Sequence, residues 1–316
     1  MKRSLLPTVV AAPTVGGQAV IEGVMMRAKD RLAIAVRKPD GEILVELRPW
    51  FSLSNAPILR KPFVRGFPVL LETLVNGIKA LNFSAMQSVD GEDGESELTS
   101  WHLVLTMTVA LGVALGLFVV LPHFLSAFMQ WVGLAGDVES VSFNAWDGLF
   151  KMLVFVGYIA AISLVPDIRR VFQYHGAEHK AIWTFESGGG FSVDKARSKS
   201  RLHPRCGTSF LLFVLAVSIM LHTILVPLLL ELYRPESTVV KHVFVVAAKL
   251  LFMVPVSCVA YEMIRFAGKF NTNIFCRVLC WPGLALQMLT TKEPDDSQIE
   301  VAMAALKCAV REEACS

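Results

Sequence analysis

Four apolar stretches, at about residues 103–121, 146–165, 210–230 and 243–261, constrain this chain more than any other feature. Each is close to the length a helix needs to cross the hydrocarbon of a bilayer, where every backbone N–H and C=O must be satisfied within the protein. Composition agrees, since 54 % of the 316 residues are hydrophobic and mean hydropathy is +0.53, against roughly 45–50 % apolar residues in a soluble domain. The expected class is therefore mainly α: a polytopic membrane protein with about four transmembrane helices and the lipid bilayer as its first partner. The net charge of +3 is small, and no basic run alternates with aromatic residues, so nucleic acid is not an expected partner.

The charges outside the spans set an orientation. Lys and Arg number twelve in residues 1–100, none in 122–148, eight in 166–207, two in 231–241 and six from residue 262 onward. Basic residues stay on the cytoplasmic side. Both termini and the loop 166–207 are thus expected in the cytoplasm, with two short loops outside. A further apolar stretch, 275–289, holds Arg277 and Pro282 and is short for a span, so it reads as a re-entrant or interfacial segment.

The soluble parts divide as follows. Residues 1–15 hold Lys2, Arg3, Pro7 and Pro13 and read as a disordered tail. Residues 16–100 are expected to form a small β-hairpin region, an amphipathic helix and an acidic linker. The hairpin follows from alternation of Leu32, Ile34 and Val36 with Ile43, Val45 and Leu47 about a Pro39-Asp40-Gly41 turn. Val69, Leu70, Leu74, Ile78 and Leu81 form the helix stripe, which lies on the membrane or packs on the hairpin. The acidic run 90–97 lacks the alternating ligands of a calcium loop and reads as a solvated linker. Residues 101–290 are the membrane domain with its cytoplasmic loop at 166–207. Residues 291–316 form an amphipathic helix that Asp295 to Ser297 cap.

Two segments of the third basic region carry metal-binding chemistry. In Tyr174-His-Gly-Ala-Glu-His-Lys180, a helix places His175 and His179 at i and i+4, so both imidazoles can reach one ion, with Glu178 between them. About twenty residues on, His203-Pro-Arg-Cys206 adds a histidine and a cysteine at ligand-like spacing. The expected metal is zinc, because a cysteine thiolate favours it over magnesium or calcium. His175 and His179 would be ligands, completed by Cys206, His203 or Glu262, with Glu178 as general base. Four protein ligands would instead close the site and make it structural. Histidines near a membrane also serve as helix caps or headgroup contacts, and Cys206 as a buried thiol.

Cys276 and Cys280 stand at i and i+4 and read as buried thiols sooner than as ligands; all six cysteines are expected free. Gln18, Glu22 and Arg27, in a glycine-rich stretch, are further candidates. Lys249 and His222 fall within spans, where ionisable groups suggest function, including a transporter or channel component. Four spans without a repeat suit transport poorly unless the chain forms a homo-oligomer.

Residues 16–27 (GGQAVIEGVMMR), 175–180 (HGAEHK) and 203–210 (HPRCGTSF) resemble the signatures of the YqhQ-like family of bacterial membrane proteins, in order and across about residues 16–289. The resemblance implies a bacterial inner-membrane location and a metal-dependent enzyme centred on the same histidines, with no substrate or protein partner specified. The combined expectation is a multi-pass inner-membrane, zinc-dependent hydrolase acting on a membrane-associated substrate, with a non-catalytic scaffold as its rival.

Overall fold

The computed structural model describes residues 15–53, 56–88, 100–204, 206–233, 235–269 and 274–311. Side chains are described for these apart from 100, 102–104, 107, 208–209, 267–269 and 274–280. The expected tail, except Val15, the acidic linker and the side chains of Cys276, Cys280 and Cys315 lie outside this set.

The N-terminal region is a four-stranded antiparallel meander, β1 (Val15–Val20), β2 (Gly23–Ala28), β3 (Arg31–Arg37) and β4 (Ile43–Pro49). The expected hairpin is β3–β4. The glycine-rich stretch supplies the other two strands, hidden because Gly16, Gly17 and Gly23 have no side chain to show alternation. Both faces of β3 are buried. Ala33 and Ala35 enter one core with Val24 and Met26 of β2, whereas Leu32, Ile34 and Val36 enter a second with Met25.

Three helices cover the sheet. On the first face lie α5 (Pro166–Glu186), through Tyr174, Ala177 and Ala181, and α11 (Asp296–Val310), through Ile299, Met303 and Leu306. Asp295 and Gln298 start α11 with a reciprocal capping box. On the second face lies α1 (Gly66–Gln87), through Ala80 and Phe83. Its buried side is small and polar, including Glu72, Asn76, Gly77 and Ser84. The apolar stripe read from the sequence points the other way, with Leu74, Ile78 and Leu81 exposed. One helix thus meets the sheet with one face and offers a lipid-compatible surface with the other.

Among the described residues four helical segments are long and apolar enough to cross a membrane: Thr108–Trp131, Val141–Ile162, Phe210–Leu232 and Thr238–Phe266. The first runs through α2 (Ser100–Leu115), a π-turn at Gly116–Val120 and α3 (Leu121–Trp131). It extends ten residues past the expected end at 121, because Pro122 falls in the first turn of α3, where its missing N–H costs nothing. The others are α4 (Val141–Ile162), α7 (Gly207–Leu232) and the pair α8 (Thr238–Leu251) and α9 (Met253–Lys269). The stretch 275–289 forms α10 (Ile274–Thr290), and α6 (Val193–Arg197) is a short turn of helix in the loop after α5.

Chain order and packing agree on topology. The sheet precedes the first span, α5 follows the second and α11 follows the fourth, yet all three share one hydrophobic core. Helices that cross a membrane there put these segments on the same side of it.

Candidate metal centre

Helix α5 begins at Pro166, with Asp167 in its first turn, and ends before Gly188, whose φ of +74 stops the helix. Its sheet-facing residues Tyr174, Ala177 and Ala181 fix its rotation, so His175 and His179 turn toward the end of α10 and the segment 201–206. Gly176 is required for this approach: a Cβ there would lie 2.2 Å from the carbonyl oxygen of Lys292. That neighbouring strand of chain is tied on by Lys292 N–H donating to Phe172 O at 2.8 Å and by a Lys180–Glu293 ion pair.

The imidazoles are oriented from behind. His175 Nδ1 donates to Thr290 O at 2.8 Å, and His179 Nδ1 donates to Arg201 O at 2.6 Å. A carbonyl accepts only from N–H, so both rings present Nε2 with its lone pair, the arrangement found behind metal-ligating histidines. His175 Nε2 lies 3.2 Å from Cys206 Sγ. His179 Nε2 is buried and makes no hydrogen bond to a protein atom. One ligand atom from each of His175, His179 and Cys206 lies within 4.8 Å of the others, and all three residues are buried. Among the described residues this is the one His/Cys/Asp/Glu group so arranged.

Glu178 is buried beside His175 and His203, and burial pushes its carboxyl up to about 7, the charges of these histidines pulling weakly the other way. Its Oε2 has no hydrogen-bond partner. Gly17 of β1 sits directly over it, since a Cβ there would be 3.0 Å from Glu178 Cδ. The first glycine-rich stretch thus reaches the site through backbone alone. Burial also lowers His179 and brings His203 down to about 4, favouring neutral rings.

The other expected residues are dispersed. His203 adjoins the group, its ring centroid 5.8 Å from that of His179, but its Nε2 faces Glu186 Oε2 at 3.5 Å. Gln287 of α10 clamps its backbone, accepting from His203 N at 2.8 Å and donating to its O at 2.9 Å. Glu262 accepts both Arg65 nitrogens, at 2.7 and 2.6 Å, and joins α9 to the start of α1 instead of approaching the histidines. Gln18 lies against Gly77 of α1. Glu22 occupies the β1–β2 turn at φ 51 and is held by Arg170 and the Tyr174 hydroxyl. The Arg27 guanidinium stacks 3.8 Å over Trp50.

Lys249 belongs to a separate cluster within the spans. It donates to Asp147 Oδ2 at 2.6 Å, and Lys151 donates to the same oxygen at 2.8 Å. His222 instead meets Ser218, 3.1 Å away on its own helix. Asp147 and Lys151 escaped the sequence reading although their i, i+4 spacing in an apolar helix was a visible sign. Cys206 and Cys258 are buried and form no disulfide, in line with the expected thiols; Cys308 departs from that expectation and is disulfide-bonded.

Family comparison adds to this geometry. Residues 61–312 match the model of a family described as protein of unknown function (DUF1385). The chain belongs to this family. It is 34 % identical over 317 residues to a Bacillus subtilis (strain 168) protein named "Uncharacterized protein YqhQ", covering 96 % of this chain and 94 % of the relative. No solved structure matches the chain. The matched residues include every side chain of the His175–His179–Cys206 group and Glu178.

Proposed function

We propose that this protein is a zinc-dependent hydrolase working at the cytoplasmic face of the bacterial inner membrane. The observation that carries the reading is the buried, unbonded Nε2 of His179, converging with His175 Nε2 and Cys206 Sγ while both histidines are held from behind by carbonyls. Two neutral imidazoles and a thiolate suit zinc, and three protein ligands leave a position for water. Bound zinc supplies a Lewis acid that makes water a nucleophile at neutral pH. Glu178, buried next to the ligands without being one, takes the proton from that water and passes it to the leaving group. The cytoplasmic orientation rests on the basic residues of 1–100 and 166–207. Reporter fusions at residue 190 should then report inside, and fusions at residue 135 outside.

The deciding experiment replaces Glu178 with Gln in zinc-loaded protein. Zinc should stay at one per chain while hydrolysis of a model ester falls by about 10²–10⁴, the usual worth of a general base. Equal hydrolysis by both proteins removes Glu178 from that role.

A second reading makes the zinc structural, with His203 as fourth ligand, because that ring already stands beside His179. X-ray absorption at the zinc edge separates the two: an oxygen in the first shell supports catalysis, and three nitrogens with one sulfur support the scaffold.

A further inference from the structure

We propose that the outer edge of β1 is the substrate groove of this site, and that the substrate is an extended polypeptide which adds to β1 as a fifth strand. The proposal rests on the hydrolase reading and narrows its substrate from any membrane-associated molecule to a peptide.

Among the described residues β1 is an edge strand, with β2 as its strand partner. Val20 and Gly23 close a two-residue turn, and the pairing continues through Gln18↔Met25 and Gly16↔Arg27. In such a hairpin the closing pair exchanges both its hydrogen bonds, and every second pair repeats this. Gly16, Gln18 and Val20 therefore bond inward to β2. Gly17 and Ala19 direct N–H and C=O outward, away from the sheet. Among the described residues nothing bonds to these outward groups. Helices α5 and α1 pack on the two faces of β1, and its edge is without a backbone partner among the described residues.

The same strand has Glu178 against one of its faces. Gly17, which with Val15 and Ala19 directs its backbone groups outward, meets the Glu178 carboxylate with the face on which its Cβ would stand. A side chain at 17 would also strike Met25 O at 2.7 Å and Met26 Sδ at 2.9 Å, so the contact between strand and carboxylate depends on glycine. A row of alternating donors and acceptors at strand spacing matches a peptide backbone and gives a lipid ester nothing to pair with along its chain. An added strand would carry its amide carbonyls past Glu178 in fixed register. Water then adds across one amide: Glu178 takes a proton from water, the oxygen bonds to the carbonyl carbon, the C–N bond breaks, and the proton goes to the leaving nitrogen. The products are a carboxylate and an amine.

The test uses full-length, zinc-loaded protein in detergent with a proteome-derived peptide library, cleavage being read by mass spectrometry, and with p-nitrophenyl acetate as a substrate that has no strand. The expected result is peptide cleavage that Glu178→Gln abolishes. Ala19→Pro removes one outward N–H and leaves the bonds to β2 untouched. It should lower kcat/KM on the best peptide roughly tenfold or more, a loss of about 1.4 kcal/mol in binding, with zinc content unchanged. A second measurement needs no variant: the same peptide carrying backbone N-methyl groups at alternate positions should resist cleavage in one register and be cut when the methyls shift by one residue. Hydrolysis of the ester with no peptide cleaved, or cleavage indifferent to both Ala19→Pro and methyl register, overturns the strand-addition proposal and leaves the hydrolase standing. Failure to hydrolyse either substrate overturns the hydrolase reading, and this proposal with it.

Discussion

The His175–His179–Cys206 group and the Asp147–Lys151–Lys249 group are both buried and both set by helices, yet they are built on opposite plans. In the span cluster, charge answers charge: two ammonium groups converge on one carboxylate oxygen, at 2.8 and 2.6 Å. The cluster links α4 to α8 and ties the bundle together. In the His/Cys group, both imidazoles are satisfied on their far sides, by Thr290 O and Arg201 O; on the near side His175 Nε2 meets Cys206 Sγ at 3.2 Å, and His179 Nε2 makes no hydrogen bond. A buried group left unbonded costs about 1–3 kcal/mol. Each group holds such an atom, Asp147 Oδ1 in the span cluster and His179 Nε2 in the other, so the difference lies in what surrounds it: opposite charges in the first and converging metal-ligand atoms in the second.

The comparison breaks first if metal does not follow it. His175→Ala with His179→Ala should take zinc from one per chain to none by elemental analysis, with membrane insertion unchanged, because the spans insert by apolar transfer. Asp147→Asn should leave zinc in place and destabilise the protein by about 3–5 kcal/mol, since two buried ammonium groups lose their counter-charge. Thermal unfolding in detergent measures this. A retained midpoint would remove the structural role of the cluster. Gln287→Leu sharpens the boundary of the site: it strips both partners from the buried backbone of His203, at a cost of about 1–3 kcal/mol, and zinc titration should show weaker binding through the displaced 201–206 segment. The smallest effect belongs to Lys151→Met. It leaves a neutral Asp147–Lys249 pair and should cost less than about 1.5 kcal/mol, the worth of one ordinary hydrogen bond.

Much of this was legible in the sequence for plain reasons. Spans are written in long apolar runs, and the i, i+4 histidines need only a helix to meet. Cys206 could be joined to them because its spacing from His203 already resembled a ligand pair. Other features rest on contacts between distant residues that no local pattern encodes. Glu262 stood at the right end of its span, but Arg65, 197 residues earlier, takes its carboxylate. The strands β1 and β2 were masked by glycines, and the value of Gly17 is apparent only once Glu178 lies beneath it. The outward stripe of α1 was read correctly as apolar, whereas its sheet-facing side was invisible because it is made of Glu72, Asn76, Gly77 and Ser84.

The core joining the sheet, α5 and α11 also dictates an order of assembly. Its pieces are synthesised before the first span, after the second and after the fourth, and the carbonyl that orients His175 belongs to Thr290, beyond the last span. A nascent chain halted with three spans inserted already holds both histidines and Cys206, yet lacks the backbone behind one imidazole and the clamp on His203. The finished geometry of the His175–His179–Cys206 group is therefore postponed until the whole chain has threaded.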